Sequence, residues 1–441
     1  MAVAAELENS KFEIGEFLAQ EREKDLLRFT TAGSVDDGKS SLIGRLLYDS
    51  NAVPTDQLAA LERHAVRQGT GDIDLSLLTD GLTAEREQGI TIDVAYRYFA
   101  TARRKFIIAD APGHEQYTRN MVTGASTADA AVILVDARKG MTVQTRRHIY
   151  LSHLLGIPEI VIAVNKMDLA GFEHAAFERA ARAAAEFAVE LEAERPHFVP
   201  LSAKLGDNVV SPSARMPWYR GPTLLALLES LPAGRAAEAR PLRFPVQLVR
   251  RVPAADGSPN GQQVRQYLGR VESGRLSVGD EIAVLPSGAL TRVRALSTLE
   301  GPLETAAAKR SIALEVADEI DIARGDLIVA RSAPARVTDR LQATLCWFAD
   351  EPYDPRARYL VKCGTRTVAA RFAELVHRLD VATLLAEPNP DSLARNDIAR
   401  VRLALASPIA VDAYGADRAT GAFIVIDAET NATVAAGMVD G

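Results

Sequence analysis

Apolar residues follow two regimes along this chain. From residue 25 to about 231, short unbroken apolar runs alternate with longer stretches of helical spacing. FIIAD (106–110), AVILVDA (131–137) and EIVIAVNK (159–166) are apolar without alternation, as parallel strands covered on both faces require. TVQTRRHIYLSHLLG and the Ala- and Glu-rich FEHAAFERAARAAAEFAVELEAE predict helices. Residues 25–231 are therefore expected to form an α/β domain with a parallel sheet. The composition shifts at PAGRAAEARP, a linker over 232–241. Beyond it, short alternating strands such as RQYLGRVESGRLSVGDEIAVLP are punctuated by Gly and Pro, and helical spacing nearly vanishes. A second set of such strands begins near residue 338. Two β-barrels are predicted, over 242–334 and 335–441. Residues 1–24 form an N-terminal extension with no assigned role.

Composition narrows the classes of function. A chain of 441 residues suits two to three domains. The formal net charge of −7 gives no support for a broad electrostatic grip on nucleic acid, and none is expected. Two cysteines, Cys346 and Cys363, argue against a disulfide framework and fit a reducing cytoplasm. The first residues do not pair a basic stretch with an apolar run, so a secretory signal is not expected. No run is long and apolar enough to span a bilayer.

The chemistry starts at GSVDDGKSS: Gly33, Ser34, Val35, Asp36, Asp37, Gly38, Lys39, Ser40 and Ser41. It matches G-x-x-x-x-G-K-[ST] and lies between a predicted strand, LLRFTTA (26–32), and a helix with Leu42, Ile43, Leu46 and Leu47 on one face. That context predicts a phosphate loop in which glycines permit close approach and backbone N–H groups cradle the anion. Lys39 would reach the β- and γ-phosphates, and Ser40 would bind Mg²⁺. NKMD (Asn165, Lys166, Met167, Asp168) follows a buried strand. The Asp168 carboxylate can accept from the N1–H and exocyclic amine of guanine; adenine would leave it unpaired, a discrimination of about 10²-fold or more. Lys166 would lie along the base, and SAK (Ser202, Ala203, Lys204) would bring a backbone N–H to the guanine O6. DAPGH (Asp110, Ala111, Pro112, Gly113, His114) supplies Asp110 to Mg²⁺ through water, the Gly113 N–H to the γ-phosphate, and His114 to orient the attacking water. GITI (89–92) supplies Thr91 as a second hydroxyl on Mg²⁺. Together these motifs predict a site for GTP and Mg²⁺ with loops that respond to the γ-phosphate.

With these motifs the chain resembles the translation-factor type of GTPase, one GTPase domain followed by two β-barrels as in elongation factor Tu. GRVESGRLSVGDEIAVLPSG (269–288) resembles its second-domain barrel. The closer resemblance, carried by GSVDDGKSSLIGRLLYDS, LTDGLTAEREQGITIDVAYRYFAT, KFIIADAPGHEQYTRNMVTGAS and ARKGMTVQTRRH, is to the large, GTP-hydrolysing subunit of bacterial sulfate adenylyltransferase. Translation factors usually carry His at the position of Asp37 and Arg at that of Gln88. The resemblance implies a heteromer with a smaller subunit that joins ATP and sulfate into adenosine 5′-phosphosulfate and pyrophosphate, driven by GTP hydrolysis here. Some relatives carry a fused adenylylsulfate kinase; with no second phosphate-loop pattern before Gly441, that activity is not expected. The alternative is a GTPase delivering aminoacyl-tRNA. Within the loop, Asp36 is expected to serve a monovalent cation or a neighbouring amide, and Asp37 to face the rim.

Overall fold

The computed structural model describes residues 24–34, 36–68, 73–78, 94–111, 118–232, 237–253, 263–381 and 383–441. They fall into two compact units, Met1–Gly234 and Arg235–Gly441. The first is built on a six-stranded sheet of β1 (Leu26–Ala32), β2 (Ala95–Ala100), β3 (Lys105–Asp110), β4 (Ala130–Asp136), β5 (Glu159–Asn165) and β6 (His197–Pro200). The spatial order is β2-β3-β1-β4-β5-β6, and every neighbouring pair except β2–β3 is parallel. The helices are α1 (Lys39–Asp49), α2 (Thr55–Gln68), α3 (Thr118–Ala125), α4 (Val143–Leu154), α5 (His174–Glu190) and α6 (Leu224–Ser230). The continuous apolar runs became buried strands because both faces are covered: all seven residues of β4 are buried. Leu42, Ile43, Leu46 and Leu47 of α1 pack with Leu27, Phe29, Phe106 and Leu134 of the sheet, each such side chain contributing about 1.5–3 kcal/mol by leaving water.

Topology places the site. β1 is flanked by β3 on one side and β4 on the other, so the connections leaving β1 and β4 diverge. In open α/β sheets the crevice beyond the carboxyl ends at such a point receives ligands. Here those ends present Gly33 after β1, Asp110 on β3, Asp136 on β4, Asn165 on β5 and the loop from Leu201 after β6.

The second unit holds two closed barrels, described in strand order around each. In the first, Glu281–Leu285, Leu327–Ala330, Arg243–Pro253, Gln263–Arg270, Ser311–Val316 and Ala289–Thr298 form a ring closed by pairing of the last strand with the first. In the second, Tyr359–Cys363, Ala422–Asp427, Thr433–Val439, Arg336–Trp347, Ile398–Val411 and Arg366–Leu379 close in the same way. The α/β domain with two β-barrels is therefore the observed architecture. Cys346 and Cys363 are buried and form no disulfide, and no helix among the described residues is long and apolar enough to cross a membrane.

Candidate nucleotide site

β1 runs into the loop at Gly33, and α1 leaves it at Lys39. The two glycines are needed for different reasons. A Cβ on buried Gly33 would stand 3.1 Å from the Leu134 Cβ of β4. Gly38 has φ +89°, and a Cβ there would come within 2.5 Å of the Asn165 Nδ2. As the residue capping α1, Gly38 has no side chain to satisfy the first-turn amides, and that turn, which holds Ser40 and Ser41, carries no carboxylate. Uncapped donors at the positive end of a helix suit an anion.

The two aspartates part company. Asp36 is exposed with φ 70°. Asp37 does not face the rim: it is 2% exposed. Its Oδ2 accepts the Ser34 N–H at 2.8 Å, while its own N–H donates to the Ser34 carbonyl at 3.1 Å. The rim expectation missed that a carboxylate can close the turn from inside by accepting a loop amide. Burial pushes the Asp37 carboxyl up to about 6, against the Ser34 hydrogen bond and the nearby Lys139, which lower it.

Lys39 is 8% exposed and moored to the end of β3. Its Nζ lies 3.1 Å from the Asp110 Oδ1 and donates to the Ala111 carbonyl. Register explains the meeting: Thr31 of β1 pairs with Asp110 of β3. Val35, Thr91, Pro112, Gly113 and His114 lie outside the described residues.

At the base end, buried Asn165 is a joint. Its Nδ2 donates to the Asp37 carbonyl at 2.7 Å, and its Oδ1 accepts the Ala203 N–H at 2.9 Å. One side chain thus brings the phosphate loop, the NKMD turn and the SAK turn together. Lys166 adopts the left-handed backbone, φ 61°, with its Nζ 3.2 Å from the Asp136 Oδ2. The Ser202 hydroxyl donates to the Asp168 Oδ1 at 2.7 Å, orienting the carboxylate assigned to the base. Met167 is buried and its N–H donates to the Leu201 carbonyl at 3.2 Å. Lys204 is exposed, but its carbonyl and that of Ala203 accept from Arg45 of α1, at 2.5 and 3.2 Å.

Sequence reasoning missed three participants. Asp136 at the end of β4 accepts from Arg138 through both oxygens, at 2.7 and 3.1 Å, and meets Lys166. Burial alone would raise its carboxyl, but the Arg138 and Lys166 hydrogen bonds outweigh that and hold it well below the usual range. Arg45 is the second. The third is fully buried His148 of α4, whose Nδ1 has no hydrogen-bond partner. Burial, with the charges of Lys39 and Arg147, depresses its pKa to about 3, so it is neutral near pH 7. A charged residue closing a buried apolar run, as in AVILVDA, was the available signal for Asp136.

The donor set fits a nucleoside triphosphate with a hard divalent cation. An uncapped helix start follows a glycine cradle, a lysine is held beside it, and the Ser40 hydroxyl and Asp110 carboxylate are oxygens of the kind Mg²⁺ prefers. Comparison with known proteins agrees. Residues 24–236 match the family described as elongation factor Tu GTP binding domain, and residues 340–440 match the GTP-eEF1A C-terminal domain-like family. Sulfate adenylyltransferase subunit 1 of Laribacter hongkongensis is 51% identical, over 97% of this chain and 88% of its own. The protein of that name from Teredinibacter turnerae is 49% identical, over 97% and 90%. The bifunctional enzyme CysN/CysC of Mycobacterium tuberculosis is 50% identical, over 94% of this chain and 67% of its own. Motifs, architecture and near full-length identity converge: the chain belongs to the sulfate adenylyltransferase subunit 1 family, whose first domain is of the elongation-factor-Tu GTP-binding type.

Proposed function

We propose that this chain hydrolyses GTP to drive the formation of adenosine 5′-phosphosulfate and pyrophosphate from ATP and sulfate on a smaller partner subunit, in sulfate activation in the cytoplasm. The observation that carries the nucleotide part of this reading is the Asn165 joint, which sets a phosphate cradle and a carboxylate for the base in one frame. Lys39 would exchange the Ala111 carbonyl for the β- and γ-phosphates. Asp168, oriented by Ser202, would select guanine. Ser40, Thr91 and, through water, Asp110 would hold Mg²⁺, which when bound offsets charge gathering on the phosphoryl oxygens. The Gly113 N–H would sense the γ-phosphate, and His114 would orient the attacking water. The anhydride made by the partner would be a high-energy product, so an external driving reaction is required, and GTP hydrolysis on this chain would supply it.

The test mixes the chain with its small subunit, ATP, sulfate and GTP, and measures pyrophosphate. Release should require sulfate and rise at least about tenfold with GTP, the effect of about 1.4 kcal/mol of coupling. Release unchanged by omitting GTP would reject the coupling. GTP-dependent capture of aminoacyl-tRNA would favour the translation-factor reading instead.

A further inference from the structure

The connection from β4 to α4 reaches back to the phosphate loop. β1 and β4 are parallel neighbours, with Ala32 paired to Ile133, so the loop after β1 and the turn after β4 emerge side by side. The turn is tight: the Lys139 and Gly140 N–H groups both donate to the Asp136 carbonyl, at 3.0 and 2.9 Å, and Gly140 takes φ +67°. It delivers Thr142 as the N-cap of α4, where the Thr142 hydroxyl accepts the Thr145 N–H at 3.1 Å. The same hydroxyl lies 2.9 Å from the Thr145 hydroxyl and 3.2 Å from that of Ser34. α4 is itself fixed, with Ile149, Leu151 and Ser152 buried and the Arg146 guanidinium 4.9 Å from the centre of the Phe187 ring of α5.

Three hydroxyls in a row can pass their protons in either direction, and burial chooses here. Thr145 is 1% exposed, and among the described residues the Thr142 oxygen is the acceptor in reach of its hydroxyl. The inward order would strand the Thr145 proton in the interior, which the outward order avoids. Thr145 therefore gives the Thr142 oxygen both its N–H and its O–H. With its two lone pairs taken, Thr142 sends its own proton to Ser34. Ser34, half-buried at the start of the glycine cradle, has its N–H held by the Asp37 carboxylate, and its own hydroxyl proton is the one left over. We propose that Thr142 is a positioning residue for the bound nucleotide: it holds Ser34 from the α4 side and leaves the Ser34 O–H to a phosphate oxygen. This role rests on the guanine-nucleotide reading of the site and adds to it a threonine 108 residues from Ser34. The phosphate loop is then gripped at two points, with Asn165 on the Asp37 carbonyl and Thr142 on the Ser34 hydroxyl.

The test is calorimetric titration of GTP, GDP and ATP, with Mg²⁺, into the unaltered chain, Thr142→Ser, Thr142→Val, Ser34→Ala and the double variant Ser34→Ala, Thr142→Val. Melting temperatures are read alongside. Thr142→Val should weaken GTP and GDP about fivefold, the effect of one neutral hydrogen bond, and Thr142→Ser should bind within about twofold of the unaltered chain. Because Thr142 acts through Ser34, the double variant should bind no more weakly than Ser34→Ala alone. Thr142 also caps α4, so its valine variant should melt lower whether or not the Ser34 hydroxyl is present. The cap thus shows in stability and the grip on Ser34 in affinity. Ser34→Ala leaves the cap intact and carries the test if the valine variant folds poorly. Unchanged GTP affinity in either single variant, or losses that multiply in the double one, would overturn the role of Thr142. An unaltered chain with no preference for GTP over ATP would instead bring down the guanine reading, and this role with it.

Discussion

Asp37 and Asp136 are buried carboxylates of one site with opposite electrostatics, and the difference is in what donates to them. Asp136 receives charged donors from Arg138 and Lys166, so it stays ionised well into acid. Asp37 receives one neutral amide, and burial dominates, raising its carboxyl from 3.8 to about 6. For a raised carboxyl, the fold binds a proton that the unfolded chain has already released. Its contribution to stability is complete below 3.8 and is lost as the pH rises through about 6. Asp37→Asn keeps an acceptor for the Ser34 N–H and removes the titration. Without added nucleotide, the melting temperature of the unaltered chain relative to this variant should fall across that window and then level off. A difference independent of pH would show that Asp37 does not hold its proton in the folded loop. Asp136 should show no such loss there, because its lowered carboxyl gives up stability only as the pH falls through its folded value.

At the scale of elements, the site is a set of strand ends, and Asn165 decides whether they act as one. Replacing it by alanine removes the donor to the Asp37 carbonyl and the acceptor for the Ala203 N–H. Two buried hydrogen bonds at about 1–1.5 kcal/mol each predict a loss of roughly 30–150-fold in affinity. GTP and GDP should suffer alike, since the loop that moves serves both. Calorimetric titration checks this; unchanged affinity would mean the loop holds its shape without the joint. The elements themselves were largely legible. β1 occupies LLRFTTA as predicted, and β3, β4 and β5 fall within one residue of their apolar runs, because burial on both faces writes itself as unbroken hydrophobicity. β2 was not foreseen. Its AYRYFA alternates, with Tyr96 and Tyr98 outward, and it pairs antiparallel at the edge, so it lacks the signal of a covered strand. Within the site, contiguous motifs were legible and the contacts between them were not. Arg45 meets the SAK turn across 158 residues, and the inward turn of Asp37 depends on a backbone donor that no side-chain pattern encodes.

At the scale of the molecule, the two barrels share one compact unit, and buried charge joins them. Arg243 of the first barrel is 5% exposed and donates to both oxygens of Asp412 in the second, at 2.7 and 2.8 Å. Thr420 donates to the same carboxylate at 2.5 Å. Running the other way, Arg366 of the second barrel pairs with Asp326 of the first at 3.2 Å. Burial alone would raise the Asp412 carboxyl, but Arg243 and Thr420 lower it, so the pair persists through ordinary acidity. A pair of this kind is weak evidence for net stability, because desolvation offsets its attraction, yet removing one partner strands a charge. Asp412→Ala should therefore cost about 3–5 kcal/mol, whereas the apolar double replacement Arg243→Met, Asp412→Leu should cost much less. Denaturant unfolding of the three chains, with the barrels' transition followed through Trp347, separates the cases. If the double variant lost as much as the single, the pair would be a net source of cohesion between the barrels. If neither lost anything, the apolar contacts around it would hold the barrels together alone. The expected order, single far worse than double, assigns the pair to fixing how the barrels align, since only a bidentate fork requires both partners in one geometry.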